Sequence, residues 1–226
     1  MLLGTLANVV AIVIGTLVGF ALKQRLPERV SSIVMQGLGL VTALIGISMM
    51  ITTQNVLVVL VSMVTGGVLG ELLRIEEGLD RLGARVERRF SKERGTFAKA
   101  FVTSALLYCV GPMAIVGALQ DGLRGDYSVL LTKSMMDGIA SVAFASTLGI
   151  GVLFSALPVG AYQGGITIGA SLLQPYLTSA MITEMTATGG LLILGIAMNL
   201  LQITKIRVGN LLPAILVAAI LSAVVL

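Results

Sequence analysis

The sequence predicts an all-α protein, a polytopic transmembrane helix bundle of about eight spans forming one transmembrane domain over residues 1–226. Three observations carry that prediction. The chain is 56% hydrophobic and 12% charged, with a mean hydropathy of +1.01, whereas an ordinary soluble domain carries about 25% charged residues. Its apolar residues fall into segments close to the roughly 20 residues that a spanning helix needs. Its basic residues collect in a few of the intervening loops, as the positive-inside rule describes.

The first segment, "MLLGTLANVVAIVIGTLVGFALKQR", has no basic leader and an apolar run of about 21 residues. That run is too long for a signal core, so it reads as a retained first span over 2–22,. Segments 30–51, 56–73, 97–119, 129–157, 159–177, 185–203 and 211–226 follow. As one helix, 129–157 would extend about 45 Å. It therefore either tilts and protrudes or breaks near Gly149–Gly151, and residues 129–177 leave room for a re-entrant segment,.

Lysine and arginine set the orientation. Lys23, Arg25 and Arg29 lie in loop one, Lys205 and Arg207 in loop seven. Loop three holds Arg74, Arg81, Arg85, Arg88, Arg89, Lys92 and Arg94, with Lys99 just beyond. Only Arg124 and Lys133 remain for the other side. The odd loops are thus expected in the cytoplasm and both termini outside. Within loop three, Leu72, Ile75, Leu79, Leu82, Val86 and Phe90 recur at helical spacing,. Residues 74–96 are expected to form a charged amphipathic segment lying on the lipid headgroups, or else a surface for a protein partner.

Weak internal similarity accompanies the spans. "SMVTGG" (62–67) resembles "SMMDGI" (134–139), "MTATGGLLILG" (185–195) resembles "MVTGGVLG" (63–70), and "LIGISMMITTQN" (44–55) resembles "YCVGPMAIVGALQD" (108–121). Read together they suggest three related hairpins, the repeat architecture common among transporters.

Several chemistries are excluded. The chain has no histidine and one cysteine, Cys109, which leaves no imidazole metal site, no histidine catalysis and no intramolecular disulfide. No phosphate-binding loop, zinc-protease or C-x-x-C motif appears. No enzyme activity, cofactor, metal or nucleic-acid partner is expected.

The candidate site lies in "KSMMDGIASVAFAS", 133–146. A helix starting after "GDYS", capped by Asp126, puts Asp137 about eleven residues in, near the bilayer centre. Lys133, Asp137 and Ser141 then share one face at i, i+4, i+8. A charge at that depth costs about 2.5–3.5 kcal/mol, so it should face protein or water. Asp137 is expected to bind a cation or carry a proton, with Lys133 as counter-charge. The plainer alternative is a structural pair near the outer headgroups. In "YCVGPMAIVGALQDGLRGD", Pro112 frees the carbonyl of Tyr108 from its helical partner, a device that forms binding sites in broken transporter helices. Gln120 and Asp121 follow, where solvated loop residues are the default, and "LPVGAYQGGITIGA" contributes Gln163 among closely spaced glycines,. Asn8, Gln36 and Asn199 are single amides in apolar runs, read as helix glue.

These segments, with "TATGGLLILGIAMNLL" and "IRVGNLLPA", resemble the bacterial membrane-protein family known as domain of unknown function 554. The resemblance covers nearly the whole chain and implies a multi-pass protein of the bacterial or archaeal cytoplasmic membrane. It implies no activity. The residues themselves point to a transporter or channel-like protein for a small solute, cation or proton, with the lipid bilayer as solvent. Its candidate binding residues are Asp137, Lys133, Ser141, Gln120, Gln163, Tyr108 and Pro112. The alternative is a non-transporting scaffold or regulator acting through 74–96. A homo-oligomer is compatible with so narrow a bundle.

Overall fold

A computed structural model describes residues 2–23, 27–81 and 97–225. Among them the chain is helical, with no strand. The long helices are α1 (Leu3–Lys23), α2 (Glu28–Met50), α3 (Val56–Leu72), α7 (Ser128–Leu148), α10 (Ser179–Leu200) and α11 (Pro213–Val225). Shorter ones are α4 (Ile75–Arg81), α5 (Phe97–Cys109), α6 (Pro112–Arg124), α8 (Ala156–Ile168) and α9 (Ala170–Leu173). Among the described residues, six stretches are long and apolar enough to cross a membrane, or up to eight if the bent pairs α3–α4 and α5–α6 each count once. In hydrocarbon a backbone must satisfy its own polar groups, which leaves helices as the economical solution for so apolar a chain.

Local chemistry places the breaks. The Asn55 side chain accepts from the Leu57 N–H and caps α3, and Thr178 accepts from Met181 to cap α10,. The interruption expected at Gly111–Pro112 is present. Helix α5 stops at Cys109, Gly111 takes φ +150°, and Pro112 opens α6, where its missing N–H costs nothing,. The two helices meet at a bend of 57°.

The long run 129–157 does break, at Gly149, whose φ of +89° suits glycine,. A 3-10 turn (Ile150–Ser155) then leads directly into α8. The sixth span is thus Ile150–Ile168, not 159–177. No polar loop separates it from α7, so the apolar pattern alone misplaced the turn. Of the amphipathic segment expected over 74–96, Ile75–Arg81 is helical. Residues 82–96, with Arg85, Val86, Arg88, Arg89, Phe90, Lys92 and Arg94, lie outside the described residues.

The chain groups into two compact units. The first comprises Met1–Met35 and Leu82–Tyr176. Its centre is the pairing of α1 with α7, close enough that a side chain at Gly15 would strike the Gly138 carbonyl. Contacts rise together along the pair, Gly4 with Leu130, Gly15 with Gly138 and Gly19 with Val142, so the helices run parallel. Helix α8 runs against α1, with Gly164 facing Thr5 and Gly160 facing Val9. Ile12, Tyr108, Leu130, Phe144, Val152 and Val159 form the core, while Met135 and Ile139 on the far side of α7 face outward.

The second unit comprises Gln36–Arg81 and Leu177–Leu226. Helix α3 lies antiparallel on α11, Gly66 meeting Ala214, and α2 lies antiparallel on α10, Gly46 meeting Gly190. Fully buried Glu184 ties down the turn after α2. It accepts from the Thr53 hydroxyl (2.7 Å) and the backbone N–H groups of Gln54 (2.7 Å) and Asn55 (3.1 Å). Asn199 behaves as glue, bonding the backbone N–H and carbonyl of Ile206.

Candidate functional site

The first unit encloses a set of polar groups that an apolar interior does not accept cheaply. Helix α7 begins at Ser128, whose N–H the Asp126 carboxylate accepts at 3.0 Å. Hydrogen bonding from Ser128, its side chain first and its backbone N–H second, holds the Asp126 carboxyl below its ordinary range in the exposed loop. Asp137 is therefore the tenth residue of α7. Lys133 and Asp137 are each 6% exposed, and Lys133 Nζ donates to Asp137 Oδ2 at 2.5 Å. The i, i+4 spacing on a helix brings the two together, and the charge-assisted bond offsets part of their desolvation.

Helix α1 supplies the second partner. Asn8 is fully buried, and its Nδ2 donates to Asp137 Oδ2 at 3.0 Å and to Gln163 Oε1 of α8 at 3.2 Å. One amide thus joins α7 to α8. On the other side, Tyr108 of α5 is fully buried, with its hydroxyl 2.8 Å from Ser141 Oγ. The Lys133 ammonium stands 6.0 Å from the centre of the Tyr108 ring, at the limit of a cation–π contact,.

Of the sequence-predicted residues, Lys133, Asp137 and Gln163 thus share one hydrogen-bonded set, and Tyr108 and Ser141 flank it. Pro112 sits at the start of α6. Gln120 is half-buried on α6 with its Oε1 lacking a partner, and no hydrogen bond joins it to Asp137. Its neighbour Asp121 departs from expectation: it is fully buried, not solvated. Asn8, read from the sequence as glue, is the hub of the set. Its position one turn after Thr5 on the glycine-lined face of α1 was the available signal.

Two features make the set chemically open. Asn8 Oδ1, an acceptor, and Gln163 Nε2, a donor, are buried without partners, as are Thr5 Oγ1, Thr16 Oγ1 and Thr167 Oγ1. Buried polar atoms are ordinarily satisfied by protein or water. Among the described residues no group of three or more His, Cys, Asp or Glu could hold a metal ion.

Residues 3–223 match the family model described as "Protein of unknown function (DUF554)". The chain is similar to the "Uncharacterized membrane protein YdfK" of Bacillus subtilis (strain 168), 33% identical over 98% of this chain and 96% of that protein. It is likewise similar to the "Uncharacterized protein YqgA" of Escherichia coli (strain K12), 32% identical over 99% of this chain and 97% of the other. No solved structure matches it.

Proposed function

From the premise that the chain belongs to the DUF554 family of membrane proteins, we propose that it moves a small solute or ion through a polar intramembrane site at Asp137 and Lys133. One observation carries this reading. The desolvated pair is bridged by Asn8 to Gln163, and the free Asn8 Oδ1 and Gln163 Nε2 stay unpartnered beside it. A purely structural pair gains nothing from such idle groups, whereas a passing solute needs an acceptor and a donor it can borrow. In this reading Asp137 is the ion or proton ligand and Lys133 its counter-charge. Gln163 hydrogen-bonds the solute, Tyr108 and Ser141 wall the site, and Gln120 and the Gly111–Pro112 break line the approach.

The protein resides in the cytoplasmic membrane with both termini outside, as the basic loops favour. Three hairpin repeats, with spans 1 and 8 flanking, remain part of the proposal, as does a homo-oligomer. No enzymatic step is assigned.

The test is the thermal stability of purified wild type and Asp137→Asn in detergent, scanned against monovalent cations, protons and small carboxylates. A ligand at 100 times its dissociation constant adds about 2.7 kcal/mol to the stability of the state it binds. A ligand class that raises the wild-type melting temperature and leaves Asp137→Asn unmoved supports the reading and names the flux assay. If no ligand class separates the two proteins, whether because both respond equally to all or because neither responds to any, the reading fails. In the latter case a role carried by residues 74–96 takes precedence.

A further inference from the structure

The first unit buries a second carboxylate that the Lys133–Asp137 pair does not use. Asp121, on α6, is fully enclosed. Its Oδ2 accepts one long bond, 3.3 Å from the Gly4 N–H in the first turn of α1, and its Oδ1 has no partner. No salt bridge reaches it among the described residues. Two more buried oxygens, on the helices packed against α6, lack partners. The methyl of Thr5, the residue after Gly4, lies against Gly164 of α8. Thr167, three residues further along α8, places its carbonyl against Gly122, next to Asp121 in α6. The hydroxyls of Thr5 and Thr167 are buried, at 4% and 3% exposure, and neither has a partner. Three mutually packed helices thus carry one carboxylate oxygen and two hydroxyl oxygens, all buried and unsatisfied.

We propose that Asp121, Thr5 and Thr167 form a binding site for a small monovalent cation, sodium. Oxygen donors alone select a hard cation over a transition metal. A single carboxylate balances one positive charge, and a divalent ion would remain uncompensated in so dry a place. Charge balance points the same way. Lys133 cancels Asp137, so the buried acids and bases of this unit leave Asp121 as the one uncancelled charge among the described residues. Gly4, which touches Asp121, and Asn8, which touches Asp137, are four residues apart on α1. That is about 6 Å of helical rise, so sodium bound at Asp121 sits beside the proposed solute site. The inference does not depend on a solute binding at Asp137, because its readout contains no solute.

The full-length protein in detergent is melted in sodium, potassium or N-methylglucamine chloride at constant ionic strength. Sodium is expected to raise the wild-type melting temperature saturably, with no such rise in N-methylglucamine. Asp121→Asn should abolish the sodium-specific rise, and Thr167→Val should move its midpoint at least tenfold higher. Glu184→Gln, which alters a buried carboxylate of the second unit, should leave the midpoint in place. If Asp121→Asn does not fold, Thr5→Val and Thr167→Val are read instead. A wild type indifferent to the cation, or a sodium response surviving in Asp121→Asn or unmoved in both threonine variants, overturns the proposal. Asp121 is then only the acceptor that caps α1.

Discussion

Consider Lys133→Met. The substitution preserves length and apolar volume but leaves Asp137 with a single donor, the Asn8 amide at 3.0 Å. Both partners of the pair are almost wholly buried, so water cannot take the place of the lost ammonium. Breaking one partner of such a pair costs about 3–5 kcal/mol. Asp137→Asn leaves the buried Lys133 ammonium without its counter-charge, although an amide oxygen still accepts from Lys133 and Asn8. Its cost therefore falls toward the lower end of the same range of about 3–5 kcal/mol. The double variant buries no charge, so it should fall within about 2 kcal/mol of wild type. The expected order of stability is wild type, then the double variant, then Asp137→Asn, with Lys133→Met lowest. The coupling should reach roughly 3 kcal/mol or more, the upper end for residues in contact. Denaturation in mixed micelles, followed by helicity, measures all four. Single losses that add to within about 0.5 kcal/mol in the double variant would mean the pair is hydrated and uncoupled. The reasoning from burial would then be wrong.

Four further outcomes follow from the same geometry. Glu184→Ala strips the acceptor from two backbone N–H groups and a hydroxyl. It should cost about 3 kcal/mol or more at about 1–3 per stranded donor, while Glu184→Gln retains part of this in the same melt. Gly15→Val drives a side chain into the Gly138 carbonyl, and overpacking of this kind lowers stability by about 1–3 kcal/mol, with gel filtration reporting any loss of the fold. Asp126 has its folded pKa lowered from 3.8 by hydrogen bonding to Ser128. Its stabilising contribution is thus present above that value and lost as pH falls through the lower folded one. The melting gap between wild type and Asp126→Ala should accordingly be open at neutral pH and close in acid below 3.8. In a Cys109→Ala background, Gln54→Cys should label from outside the cell and Lys205→Cys should not. The reverse pattern would invert the orientation.

The local features of this protein were legible because local rules produce them. Segment lengths and apolarity specify helices, since no other open structure satisfies a backbone in lipid. The i, i+4 spacing of Lys133 and Asp137 already implied their contact. The "GIG" and "GP" signals marked two real breaks, since glycine and proline act through their own backbones,. The sixth span was misplaced because Gly149 turns the chain inside an apolar run, with no change of composition to reveal it.

What tertiary structure alone decided is which polar residues lie inside. Asn8 meets Asp137 across 129 positions and Gln163 across 155. Asp121 meets Gly4 across 117, and it is that meeting of α6 with the first turn of α1 that turned an expected loop residue into a buried acid. In a membrane protein nearly every helix is apolar on all sides, so amphipathic periodicity no longer says which face is inward. The close approaches permitted by glycine on α1, α7 and α8 choose the inward face. That choice collects single polar residues, unremarkable in their own segments, into one hydrogen-bonded set.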